Sequence, residues 1–173
     1  MRVAAERQSN LDPAHAIPTS AGLNKPKLAL HAGEQCPMSK LNHHEALIYV
    51  MVAMAAVDRT MTDSEFTRIG QMVSHLPIFV DFDPENLVDT ARQCGQMLSN
   101  AGGLDETLST IGEGIPDKLR ATAYALAVEV AAADFEVKAE ELRFLALLGE
   151  EMKLDKLTMA AIERGAKARL AIL

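Results

Sequence analysis

Tryptophan is absent from this chain of 173 residues, and only 4% of the residues are aromatic. Sheets draw on aromatic and β-branched side chains, so this poverty, beside abundant Ala and Leu and nine Met, favours helix. The two cysteines, Cys36 and Cys94, cannot make a disulfide scaffold or a four-cysteine zinc site. As reduced thiols they suit a cytoplasmic protein. An excess of basic residues is lacking too: 24 acids stand against 17 Lys and Arg, for a formal net charge of −7. The electrostatic footprint of a nucleic-acid binder is therefore missing. The longest apolar run, Ala46 to Val57, is twelve residues, short of the roughly 20 that cross a bilayer. No basic segment followed by an apolar stretch opens the chain, so no secretion signal is read there. No P-loop, dinucleotide fingerprint, nucleophile elbow or zinc-protease helix occurs, and nothing here proposes an enzyme. Neither H-x-x-x-H nor E-x-x-H spacing is found, which excludes a ferritin-like di-iron arrangement.

What is present is a proline-punctuated leader followed by strongly helical sequence. Residues 1–41 hold Pro13, Pro18, Pro26 and Pro37 with no sustained apolar period, and read as a poorly ordered leader. Met38 stands just before the first helical signal, so translation starting there, rather than at Met1, is an expectation that intact mass would settle. From Asn42 to Leu173 the chain reads as one helical domain. A first helix, His43 to Val57, is apolar on nearly all sides and so predicted buried. Thr62-Asp63-Ser64-Glu65 has the form of a capping box and opens a second helix, which stops near Leu76-Pro77. Asp83-Pro84 starts a third helix, running to about Asn100. A short fourth spans Leu104 to Ile111, and Gly112, Gly114 and Pro116 mark the next loop. The fifth, Asp117 to about Ala133, is again apolar almost all round. The sixth covers Lys138 to Met152 and the seventh begins at Asp155. The expected fold is all-α, about seven helices in one compact bundle.

An internal repeat organises the chain. Displaced by 76 residues, Ala46–Val73 lies over Thr122–Gly149 with five identities in 28 pairs, among them Asp58/Asp134 and Glu65/Glu141. Apolar positions register as well, including Met54/Val130, Phe66/Leu142 and Ile69/Leu145. Each copy reads as a buried helix, a turn that begins with Asp, and an amphipathic helix with Glu in its first turn. Two such hairpins are expected to bury their apolar helices against each other as a pseudo-twofold pair.

The turns run Asp58-Arg59-Thr60-Met61-Thr62-Asp63-Ser64-Glu65 and Asp134-Phe135-Glu136-Val137-Lys138-Ala139-Glu140-Glu141, both of the form Asp-x-x-apolar-x-x-x-Glu. The doubled motif resembles the signature of the TerB-like family, named for a tellurite-resistance protein, over about Asn42 to Leu173. The resemblance implies an all-helical domain, a metal-binding or scaffolding role in bacterial responses to tellurite and other chemical stress, and no established catalytic activity. The family's Gly after each Asp is replaced here by Arg59 and Phe135, so both turns are expected to differ in backbone. Lys138 stands where Thr62 stands in the first copy.

Hard divalent cations of the Ca²⁺, Mg²⁺ or Mn²⁺ class want six or more oxygens, with carboxylates supplying charge. If the two turns meet, Asp58, Glu65, Asp134 and Glu141 would form one acidic cluster, with Asp63, Glu136 and Glu140 as outer candidates. Each residue has a structural reading as well. Glu65 can return a hydrogen bond to the Thr62 N–H, first-turn acids suit the helix dipole, and Asp is a turn former. If those structural roles are all, the acidic surface is left to dock a basic protein partner. His43-His44-Glu45 reads as solvated histidines at a helix start, because adjacent positions point about 100° apart. His75 reads as a C-terminal cap. Glu129, the one acid of the apolar fifth helix, calls for a partner among Arg68, Arg120 and Arg143. Cys94 reads as a buried, inert thiol. Oligomeric state leaves no mark on the sequence.

Overall fold

The computed structural model describes residues 40–57, 61–132, 138–169 and 171. The leader up to residue 39, with Cys36 and the alternative start Met38, lies outside the described residues. So do Asp58, Arg59, Asp134, Phe135 and Glu136.

Local signals account for most helix starts. Helix α1 (His43–Ala55) begins on a capping box at Asn42, whose side chain accepts the Glu45 N–H at 3.0 Å while the Glu45 carboxylate accepts the Asn42 N–H at 2.9 Å. Helix α2 (Asp63–His75) opens on Thr62 as expected and stops at Leu76, before a proline that has no N–H to give. After a 3-10 turn at Pro77–Phe79, the Asp83 carboxylate accepts the Glu85 N–H at 3.0 Å and heads a second, Pro84–Asn86, which feeds α3 (Leu87–Ser99). Helix α4 (Gly103–Gly114) follows at once, with Gly103 at φ +42° making the tight joint. A third 3-10 turn, Asp117–Leu119, leads into α5 (Arg120–Ala131), and then come α6 (Ala139–Glu151) and α7 (Lys156–Arg169). The described residues form seven α-helices and no strand, the all-α architecture expected.

Helix α1 is the axis of the packing. Ten consecutive residues, Ala46 to Ala55, are buried, as a segment apolar on every side requires. It is covered by α5, α3 and α4, with α2 at its end, while α5 in turn carries α6 and α7. Leu47, Met51 and Met54 meet Ile111, Tyr124 and Phe144 in a shared core, each large apolar side chain contributing about 1.5–3 kcal/mol. The two apolar helices of the proposed repeat do pack together. Their partners do not match residue for residue: Leu142 is 57% exposed where Phe66 is half-buried, and Phe144 is buried at the position of Arg68. In the second helices the apolar register holds at Ile69/Leu145, both buried, and not at Phe66/Leu142.

One helix end differs from expectation. Gly112 and Gly114 do not mark a loop, because α4 continues through both. Gly114 is there for close approach: a Cβ on it would stand 2.8 Å from the Cβ of Ala46 and 3.2 Å from that of Leu41. The glycine that signals a loop in isolation is the contact that seats α4 on α1. At the α6–α7 joint Lys153 takes φ 53°, with Lys153 N–H donating to Glu150 O at 3.0 Å and Leu154 N–H to Gly149 O at 3.1 Å. This is the left-handed ending that glycine usually supplies, here borne by a lysine.

Candidate functional site

The two acidic motifs end in the first turns of α2 and α6. At the first, Glu65 Oε2 accepts the Thr62 N–H at 2.6 Å and the Thr62 hydroxyl at 2.8 Å, and the Glu65 N–H donates to Thr62 Oγ1 at 3.3 Å. At the second, Glu141 Oε2 accepts the Lys138 N–H at 2.7 Å. A lysine side chain has no acceptor, so this box is made from the glutamate side alone. Both glutamates thus occupy the same place in their helices and both serve as caps, the structural role that the sequence allows for Glu65. Asp58, Asp134 and Glu136 fall outside the described residues, so of the four candidate ligands the geometry speaks for Glu65 and Glu141. The outer candidates diverge: Asp63 lines a groove between α2 and α5, while Glu140 lines a separate hollow beside Arg143 and the α3–α4 joint. Among the described residues no three His, Cys, Asp or Glu come close enough together to hold a metal ion.

That groove, about 1160 Å³, is bounded by α2, the Pro77–Phe79 turn, α5 and α7. Its floor is apolar, with Met72, Leu76, Ile78, Leu126 and Ile162. Its rim carries Asp63, Arg68, Glu129 and Arg169. The partner of Glu129 is Arg169, a residue outside the three arginines expected for it. Arg68 instead donates to the main-chain carbonyl of Glu129 at 3.5 Å, and Arg120 pairs with Asp117 at 2.7 Å. The reason is topological: α7 folds back along α5 and brings position 169 to position 129. No short-range pattern announces such a groove, because its walls come from segments up to about a hundred residues apart in sequence.

The histidine pair also reads differently in three dimensions. His44 is half-buried, its Nε2–H donating to the Ile78 carbonyl at 2.8 Å and its ring 5.8 Å from those of Phe79 and Phe82. It pins the Pro77–Phe79 turn to α1 and is not a solvated residue. His75 Nδ1–H donates to Gln71 O at 2.7 Å in the last turn of α2, the capping role expected. Cys94 is fully buried with its Sγ–H toward Tyr49 O at 3.7 Å, and burial pushes its thiol up to about 12. Such a thiol is no nucleophile. Across α5 and α7, the buried Tyr124 donates its hydroxyl to Glu163 Oε1 at 2.6 Å. Burial, and then the Glu163 carboxylate, raise the phenol well above its usual range.

No described helix is long and apolar enough to cross a membrane. Comparison with known proteins adds one match: the family model described as tellurite resistance protein TerB fits residues 44–164, well over half of the chain. No curated protein and no solved structure matches.

Proposed function

Because the chain belongs to the TerB family, we propose that it is a tellurite-resistance-type stress-response protein of the bacterial cytoplasm that acts by binding and not by catalysis. Its ligand is a divalent cation of the Ca²⁺, Mg²⁺ or Mn²⁺ class, held by Asp58 and Asp134 at the turns with Glu65 and Glu141 beside them. The observation that carries this reading is the doubled acidic turn inside the matched span, with Glu65 and Glu141 at equivalent first-turn positions. Capping does not exhaust either glutamate, since a carboxylate offers about four lone-pair sites and the cap draws on Oε2. A bound cation would tie the two hairpins together, and ligand at a hundred times its Kd adds about 2.7 kcal/mol of stability. The test is calorimetric titration of chelator-stripped protein with each cation, with the melting temperature followed in parallel. Saturable heat and a raised Tm, both lost in Asp58→Asn/Asp134→Asn, are the expected result. Absence of heat and of any Tm shift would overturn it.

A second reading rests on a different observation, the apolar groove with its charged rim. There the protein is an interaction module and the carboxylates are caps only. It predicts salt-sensitive association with a protein partner and indifference to cations.

A further inference from the structure

Helix α7 differs from every other helix here: none of its fourteen residues is buried. Among the helices it lies chiefly on α5. It is held by Met159, Ile162 and Ala166, all half-buried, at spacing i, i+3, i+7. Two side-chain bonds from α5 complete the hold, Tyr124 to Glu163 and Glu129 to Arg169. Gly149 of α6 makes room for the Met159 sulfur, which a Cβ at that position would strike.

The joint is built so that nothing else need break. The end of α6 closes its own carbonyls through Lys153 N–H to Glu150 O and Leu154 N–H to Gly149 O. The start of α7 is capped from within by Asp155, which accepts from Leu157 N–H at 3.0 Å, Thr158 N–H at 2.9 Å and the Thr158 hydroxyl at 2.6 Å. Neither set of caps draws on α5. On separation, Glu129 and Glu163 keep access to water, so no unpaired charge is left buried. Free energies of local opening follow buried apolar contact, and α7 has the least of it.

We propose that α7 is a displaceable strap, leaving α5 as an intact helix while α1 to α6 stay folded, and so laying bare the Tyr124 face of α5 next to the groove. Ile162 and Arg169 are groove-lining residues, so its departure removes one wall and turns the groove into an open apolar shelf between α2 and α5. The strap draws on none of the proposed cation ligands and stands or falls independently of cation binding.

Residue-resolved hydrogen exchange on the full chain tests it. The α7 amides are expected to share one opening, at least about tenfold more frequent than that of α1 and α5. Tyr124→Phe/Glu129→Met, which removes the donor of one bond and the acceptor of the other, is expected to speed α7 exchange about tenfold more and leave α1 unchanged. Equal protection of α7 and α1 in the unsubstituted protein would overturn the proposal without recourse to any variant. Rates graded inward from one end of α7, the mark of fraying, would overturn it too, as would a double variant that loosens all helices alike.

Discussion

At the scale of single residues, meaning depends on whether the partner is near or far in the chain. Thr62 and Glu65 are three apart, and their capping box is legible from the four letters that carry it. Glu129 and Arg169 are forty apart, and His44 and Ile78 thirty-four, so neither partner has a local signal. Glycine shows the same division. Gly114 and Gly95 look alike in sequence, yet a Cβ on Gly114 meets Ala46 at 2.8 Å while a Cβ on Gly95 meets nothing within 4 Å. Gly114→Ala is therefore expected to destabilise by about 1–3 kcal/mol, since two backbones must part. Gly95→Ala, inside α3, is expected to stabilise by about 0.5–1 kcal/mol through helix propensity and a less flexible unfolded chain. Thermal melts of the two variants, read side by side, check the opposite signs. Equal shifts would mean that close approach at Gly114 is not what matters.

At the scale of elements, helix ends are legible wherever a cap sits in the sequence. Asp83 marks the 3-10 turn that feeds α3, and Asp155 marks α7, as surely as Thr62 marks α2. The end of α4 is not legible in this way, because Gly112 and Gly114 carry the same letters as a loop. The Asp155 cap also has a pH signature. The Thr158 hydroxyl, with the Thr158 and Leu157 N–H groups, holds its carboxyl below the usual carboxylate range. A depressed carboxyl lends its stabilisation in full above its unfolded value and loses it as pH falls through the folded one. Acidification below about pH 4 is thus expected to loosen the start of α7. Asp155→Asn keeps an oxygen acceptor that does not titrate, and should weaken the acid response of the first turn of α7. Helix-resolved exchange across an acid series measures it, and an unchanged response in the variant would assign the effect elsewhere.

At the scale of the whole molecule, burial of titratable groups around α1 sets an alkaline limit. Burial raises Cys94 from an ordinary 9.0 to about 12. Tyr49 rises from 10.0 to about 12 through burial first, then Cys94 and Glu45. In both, the unfolded chain gives up the proton before the native one, so the native state holds more protons and stability falls as pH rises. The window opens near 9 with Cys94, deepens near 10 with Tyr49, and closes near 12. Each group contributes a slope of about 1.4 kcal/mol per pH unit inside its own window. Cys94→Ala costs core packing at neutral pH, yet its urea midpoint should decline less steeply between pH 9 and pH 11 than that of the parent. Parallel declines would refute the assignment to the thiol.

The chain by itself determined its secondary structure, its family and the burial of α1 and α5, because caps, periodicity and an unbroken apolar run act within a few turns of helix. The first-turn glutamates were legible in the same way, since Glu65 and Glu141 hold equivalent places in α2 and α6. Only the tertiary structure decided which arginine answers Glu129, why α4 runs on through Gly114, and that α2, α5 and α7 border a groove. Those outcomes depend on pairs of residues brought together by packing from distant parts of the chain, and no pattern in a short stretch of sequence carries that information.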